Sequence, residues 1–353
     1  MKKMLTIQFD RLMRRPGPIG LDLGARHVKA VQLAPAAGGG WRLAASASFP
    51  RAKPDQPLDA DEAARVAEVL HRQGFDGRKV VVGLGPAQLM SSMLELPPRA
   101  PGVPIEQIAR MELARVHGRD AGGFEFAQWE VPSPARAPQS THVMAVACAH
   151  EQAASLLDAL ESQGLLIRAL DAEACAIARA CAPLVDAANG MSALLDLGHG
   201  AARLLVVYRG AIVYTRAIDE AGMARLNTSL QRQLETDEAT VTQLLAEGFF
   251  DAAAGEESRG IVSAHFDALL REIHVAFAYA TQQYSVPAVT SLLLVGGGAD
   301  VPGVADRLAG ALRLPVRLAM PAALNLTTAA PRAANAASMT AALGLAMYRE
   351  ADV

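Results

Sequence analysis

The strongest constraint on the fold is a pattern that occurs twice. Residues 19–33, IGLDLGARHVKAVQL, set an apolar strand (Ile19–Leu23) before a glycine turn and a second apolar strand (Val28–Leu33) after it. Residues 192–218, SALLDLGHGAARLLVVYRGAIVYTRAI, repeat the strand, the D-L-G turn and the strand, and Arg209-Gly210 forms a tight turn into a third. The recurrence is on the scale of half a protein rather than a short solenoid period. At 353 residues the chain is too long for one ordinary core. A molecule of two similar lobes, each begun by a hairpin, satisfies both facts.

The elements around each hairpin extend the likeness. In the first half, Gly38-Gly39-Gly40 makes a turn and Trp41–Phe49 alternates as a third strand. Asp59–Gln73 has the apolar spacing of a helix, and Lys79–Leu84 is a buried strand after it. Three strands, a helix and a strand is the order of a ribonuclease-H-like half-domain. Residues 90–149 behave differently, with LELPPRAPGVP, one helix (Ile105–Val116), the Pro-rich loop VPSPARAPQS and the strand His142–Ala147. They read as a small inserted subdomain with exposed linkers. A helix (Glu151–Gln163), a strand (Ile167–Asp171) and a helix (Glu173–Ala182) follow. In the second half, helices are expected over Leu226–Leu245 and Ser263–Gln283, with a polar loop over 251–260 between them. SLLLVGGGADVPGVADRLAGAL then supplies a buried strand, a glycine turn and a helix. The expected division is a flexible basic arm (1–17), a first lobe (18–89 and 150–188), the insertion (90–149), and a second lobe (189–225 and 284–330). An upper helical subdomain (226–283) and a C-terminal helix returning to the first lobe (331–353) complete it.

Composition narrows the function classes. Hydrophobic residues are 51% and charged residues 20%, enough apolar material for large cores and against wholesale disorder. A formal net charge of -3 makes no case for nucleic-acid binding. Cys148, Cys175 and Cys181 lie in Ala-rich stretches without metal-ligand spacing and read as reduced, buried thiols of a cytosolic protein. No apolar run approaches the ~20 residues of a membrane span. The opening MKKMLTIQFDRLMRR lacks a signal peptide's apolar stretch. It reads as a solvated tail or as a weak membrane-surface contact through Lys2, Lys3, Arg11, Arg14 and Arg15.

The two turns also carry the chemistry. A glycine hairpin presents backbone N–H groups to an anion without obstruction, as a phosphate cradle requires. Gly24 after Asp22 and Gly198 and Gly200 after Asp196 meet that need, and Gly296, Gly297 and Gly298 would let backbone approach a flat ligand. Asp22 and Asp196 are candidates to hold a hydrated Mg²⁺; the competing reading is that each carboxylate caps its own turn. Lys29 is placed to neutralise a phosphate or else to lie solvated on an outer face. His27 and His199 have no carboxylate or serine companions that would argue for nucleophilic catalysis. No hydrolase triad, zinc box or dinucleotide fingerprint occurs elsewhere, and no catalytic residue is assigned.

This combination resembles the superfamily of actin, FtsA and the sugar kinases, and within it the PilM-type type IV pilus assembly proteins. The resemblance rests on IGLDLGARHVKAVQL, on LELPPRAPGVPIEQIARMELAR and on SLLLVGGGADVPGVADRLAGALRLPV, and covers about Pro18 to the end. It implies an α/β, actin-like two-lobed fold of two ribonuclease-H-like domains with a small FtsA/PilM-type insertion. The function it implies is a cytoplasmic scaffold, at the inner face of the inner membrane through its partners, that receives the N-terminal tail of a PilN-like protein. Other pilus components, a homo-oligomer and bound ATP with Mg²⁺ follow from the same resemblance; nucleic acid does not. The groove for the tail is expected to include Met90–Val116.

Departures from the family pattern bear on the nucleotide. Ala25, Arg26 and His27 stand where hydroxyls usually follow the first D-x-G, and His199, Gly200, Ala201, Ala202 and Arg203 follow the second. Thr240 and Gln243 stand where family members carry an E-x-x-K pair at the ribose and base. Each lost hydroxyl removes a bond to charged phosphate worth ~1.5–3 kcal/mol. Glu173 falls where the ATPases keep a water-orienting acid or amide, and it equally suits the macrodipole at its helix start. A weak ATPase at most is implied. A homologue serving type II secretion or a mannose-sensitive pilus shares these features. A filament-forming ATPase needs competent hydrolysis, and a small-molecule kinase needs a substrate-facing carboxylate and intact hydroxyls.

Overall fold

The computed structural model describes residues 16–36, 40–137, 139–185, 190–248, 255–284, 288–320 and 336–349. Most of the basic arm expected over 1–17 lies outside the described residues. So do the Gly38-Gly39 part of the first turn, residues 251–254 of the polar loop, and 331–335 and 350–353 of the C-terminal segment.

In chain order the elements begin with β1 (Ile19–Leu23), β2 (His27–Pro35), β3 (Trp41–Pro50), α1 (Ala60–Arg72) and β4 (Lys79–Leu84). Next come β5 (Met90–Leu96), α2 (Ile105–His117), β6 (Phe124–Glu130), β7 (Thr141–Ala149), α3 (His150–Glu161), β8 (Leu166–Ala172) and α4 (Glu173–Cys181). The later part holds β9 (Met191–Leu197), β10 (Ala202–Tyr208), β11 (Ala211–Ile218), α5 (Met223–Leu234), α6 (Glu238–Ala246) and α7 (Glu256–Tyr284). It closes with β12 (Val289–Val295), α8 (Val304–Leu312), β13 (Val316–Leu318) and α9 (Thr340–Ala346).

Two compact units result, one from 1–85, 151–183 and 320–353, the other from 86–150 and 184–319. The first contains a five-stranded sheet in the order β3-β2-β1-β4-β8, and the second a five-stranded sheet in the order β11-β10-β9-β12-β13. In each, three antiparallel strands precede parallel pairings, β1 with β4 and β4 with β8, β9 with β12 and β12 with β13. The repeat seen in the sequence is thus a repeat of sheet topology. Central strands such as LLLV of β12 are buried along their length, the continuous apolar run expected of strands covered on both faces.

The first unit depends on close packing around α9. A Cβ on Gly20 would lie 2.1 Å from the Ala342 carbonyl oxygen and 2.3 Å from the Ala346 nitrogen, so only glycine lets the helix lie on β1. A Cβ on Gly344 would lie 1.8 Å from the Ala176 oxygen, so α9 meets α4 with equal intimacy. Arg179 secures the contact, donating from Nη1 to Asp171 Oδ2 and to the Gly344 carbonyl, both at 2.8 Å, with its guanidinium over the Tyr348 ring. Buried Gln32 adds a second tie, with Nε2 donating to the Gly17 and Asp76 carbonyls and Oε1 accepting from the Asp76 N–H.

A buried ion pair joins the end of β3 to α1. Asp59 caps α1 by accepting from the Glu62 N–H at 2.9 Å, and this orientation brings Glu62 Oε2 to Arg51 Nη2 at 2.7 Å. The two side chains are 2% and 5% exposed, and Glu62 Oε1 accepts from the Ala52 N–H. Burial pushes the Glu62 carboxyl up, but the Arg51 guanidinium and the Ala52 N–H outweigh it and hold it below its ordinary value.

Three sequence readings need correction. The single helix expected over Leu226–Leu245 is two, α5 and α6. Glu235 adopts a left-handed φ of 48°, and Asp237 starts a new helix by accepting from the Thr240 N–H at 2.8 Å. The loop expected to reach Gly260 ends earlier, because α7 starts at Glu256 and carries Gly260 inside it. Residues 90–149 hold three strands, ordered β5-β7-β6, rather than the one expected. The apolar face of α2 packs on them through Ile105, Ala109 and Leu113, against Leu94, Phe124, Val143 and Ala145.

Arg51→Ala, which strands a buried carboxylate, is expected to cost about 3–5 kcal/mol in urea unfolding, whereas Arg51→Met with Glu62→Leu recovers most of it. Because the folded Glu62 carboxyl is depressed, its stabilisation is complete above the ordinary value of 4.5 and is lost as pH falls through the folded value. A Glu62→Gln variant should therefore lose less stability than the parent between neutral pH and pH ~3.

Candidate phosphate-binding hairpins

The first hairpin lies in the first unit. Asp22, near the end of β1, is directly opposite Lys29 on β2, and Lys29 Nζ donates to Asp22 Oδ2 at 3.0 Å. Both side chains are largely buried. A Cβ on Gly24 would approach the His27 carbonyl oxygen to 3.0 Å and Lys29 Nζ to 3.5 Å, so the turn closes tightly over the pair. The turn's carbonyls are tied within the unit, Ala25 accepting from the Asp55 N–H at 3.0 Å and Arg26 from the Arg51 N–H at 2.8 Å.

At the carboxyl end of β4, Glu173 opens α4 and packs on the glycines beneath it. A Cβ on Gly83 would lie 3.0 Å from Glu173 Cγ, and one on Gly85 would lie 3.4 Å from Oε2. β1 runs beside β4 in parallel, so Asp22 and Glu173 both lie at the carboxyl ends of parallel strands, the usual ligand edge of an α/β sheet.

The second hairpin belongs to the second unit and repeats the first. Asp196 on β9 is directly opposite Arg203 on β10, and Arg203 Nη2 donates to Asp196 Oδ2 at 3.2 Å. A Cβ on Gly198 would meet the Ala201 oxygen at 2.7 Å. The turn's carbonyls are again tied down: Gly198 accepts from the Met223 N–H at 3.1 Å and His199 from the Ala224 N–H at 2.8 Å. Gly222, at the start of α5, lets this happen, since its Cβ would lie 2.2 Å from the Gly200 oxygen.

The glycine run after β12 joins this hairpin. Gly296 has a φ of +86°, and a Cβ there would lie 2.4 Å from Asp196 Oδ1. A Cβ on Gly298 would lie 2.8 Å from Met223 Sδ and 2.9 Å from Leu197 Cβ. Gly297 and Gly200 face open space at the same positions. Asp196, Gly198, Gly296 and Gly298 therefore form one cluster, with Gly297 and Gly200 at its open side. Thr240 and Gln243 are exposed on α6; Thr240 is held by Asp237, and the Gln243 amide donates to Glu247 Oε1 at 2.8 Å.

Arg203 is the residue that sequence reading passed over as a site candidate. Its signal was present: a cation seven residues after the aspartate in each repeat, Lys29 after Asp22 and Arg203 after Asp196. The spacing is that of a hairpin in which the two positions face each other.

The donor set distinguishes the two groups expected here. Each glycine turn, with its own cation, fits a phosphate. A magnesium ion fits poorly, because each carboxylate is already shared with a resident cation, and the described residues contain no group of three or more His, Cys, Asp or Glu able to hold a metal. The thiols are poor nucleophiles: burial pushes Cys175 and Cys181 up to about 12.

Comparison with solved structures places the fold. The chain is similar to a PilM–PilN type IV pilus biogenesis complex at a TM-score of 0.78 and 20% identity, over 94% of this chain and 98% of that one. It is similar to the ethanolamine utilization protein EutJ from Carboxydothermus hydrogenoformans at 0.52 and 14%, over 96% and 93%. MreB5 of Spiroplasma citri bound to AMPPNP matches at 0.50 and 13%, over 93% and 94%. The fold is the actin-like one of two repeated α/β halves. A family model described as type IV pilus assembly protein PilM matches residues 20–350, and the chain belongs to that family. No curated protein sequence matches it. Among the described residues no helix is long and apolar enough to cross a membrane.

Gly296→Ala is expected to cost about 1–3 kcal/mol, since it combines a left-handed φ with a clash against Asp196, and Gly297→Ala much less. Melting temperatures of the two variants check this.

Proposed function

We propose that this protein is an actin-like scaffold of a type IV pilus assembly complex, which docks the cytoplasmic N-terminal tail of a PilN-like membrane protein. The observation that carries the reading is the family match across residues 20–350, joined to a fold likeness across 94% of the chain to a PilM–PilN complex. The protein is held at the inner face of the inner membrane by that tail and by other pilus components, and it works by binding rather than by turnover. Part of the tail's surface is α2, where Met111 and Val116 are 59% and 50% exposed on a helix whose other face is packed. A nucleotide such as ATP binds at the glycine hairpin of the second unit, where the Arg203 cation stands in for the hydroxyls absent from the turn.

Calorimetric titration with a synthetic peptide of the PilN-like N-terminal tail tests the docking. Saturable binding is expected, weakened at least ~10-fold by Met111→Glu, the loss of one well-placed apolar contact. The same variant should keep the parent melting temperature, since Met111 is outside the core. Absence of peptide binding with and without ATP sinks the docking reading.

A further inference from the structure

We propose that Asp196 is the resident counter-ion of Arg203, and that the second hairpin takes a nucleotide phosphate by exchange at this guanidinium, without a divalent metal. The inference rests on the nucleotide reading of the hairpins and specifies how the charge of the phosphate is met.

Three observations carry it. The pair is built into the β9–β10 register, with Asp196 and Arg203 facing each other directly. Its side chains are only 17% and 10% exposed, and Nη2 meets Oδ2 at 3.2 Å. Asp196 Oδ1 lies under the Gly296 backbone, where even a methyl group would come within 2.4 Å. One carboxylate oxygen is thus engaged by a cation and the other covered by main chain. The first hairpin repeats the device with Lys29 and Asp22 at 3.0 Å, beneath Gly24. Two independent copies of one arrangement make a coincidental surface pair a poor account of it.

The chemistry separates a counter-ion from a metal ligand. Magnesium keeps part of its water shell and draws on carboxylates with charge to give. A carboxylate already neutralised by a buried guanidinium has little, and the guanidinium repels a divalent ion placed at the same oxygen. Guanidinium has instead the fork geometry that suits phosphate, and phosphate offers more acceptor oxygens and more negative charge than a carboxylate. Phosphate and Asp196 therefore compete for Arg203. Asp196 holds the cation in place in the free protein and restrains weak anions from occupying it.

The test is calorimetry of the full chain with ATP, once in excess EDTA and once in excess Mg²⁺, for the parent and for Asp196→Asn and Arg203→Gln. The expected result is a parent affinity that differs by less than about 3-fold between EDTA and Mg²⁺. In EDTA, Asp196→Asn should bind about 10-fold tighter, its competitor neutralised, and Arg203→Gln at least about 10-fold weaker, as loss of a charge-assisted bond predicts. Binding that needs Mg²⁺ and weakens in Asp196→Asn would make Asp196 a metal-directed ligand and overturn the proposal while leaving nucleotide binding standing. No ATP binding by the parent in either buffer overturns both. Circular dichroism melts establish that the variants fold, and if Asp196→Asn does not, the parent's EDTA and Mg²⁺ titrations decide alone.

Discussion

Register in a β-hairpin is an all-or-none property, because a slip of one residue turns every side chain to the opposite face. The β1–β2 and β9–β10 registers are the constraint on which the rest of this structure depends. They set Asp22 opposite Lys29 and Asp196 opposite Arg203 while keeping Leu21, Ala30, Leu195 and Leu204 in the cores. A slip of either strand would separate the ion pair and set its charges against buried apolar neighbours, so the energetics of the core and the placement of the polar pairs reinforce one choice.

The glycines then serve two distinct needs. Gly20 and Gly344 are packing residues, present because backbones approach closer than any side chain permits. Gly24 and Gly296 instead close over charged groups, Gly198 closes its turn against the Ala201 carbonyl, and Gly200 and Gly297 leave space beside them. Sequence alone presents all of these as glycines in motifs. What separates a hinge-pin from an opening is the identity of the atom that a Cβ would strike, which only coordinates supply.

The repeated halves were legible because strand burial and the D-L-G turn depend on local pattern, and a pattern that occurs twice is hard to produce by chance. The division of α5 from α6 was missed because the apolar spacing runs through Glu235, and the break depends on a left-handed residue and an aspartate cap rather than on periodicity. Strands β5 and β6 were missed for a different reason. MSSMLEL and FEFAQWE are short and partly polar, and their strand state comes from pairing on both sides of β7. Arg203 escaped notice as a site residue because it was read only as one of the residues that follow the second D-x-G turn, whereas its meaning lies in the residue facing it across the hairpin.

Helix α9 has a consequence for how the molecule is made. The first sheet is complete only when residues 340–346 lie on Gly20 and beside Ala176, yet those residues follow the whole second sheet in the chain. On the ribosome, where domains generally fold as they emerge, β1 through β4 must wait with one face uncovered while β9 to β13 are synthesised. The second unit, drawn from the continuous stretches 86–150 and 184–319, has no such wait. The order of maturation is therefore the reverse of the order of translation, and the segment read first is the last to be sealed.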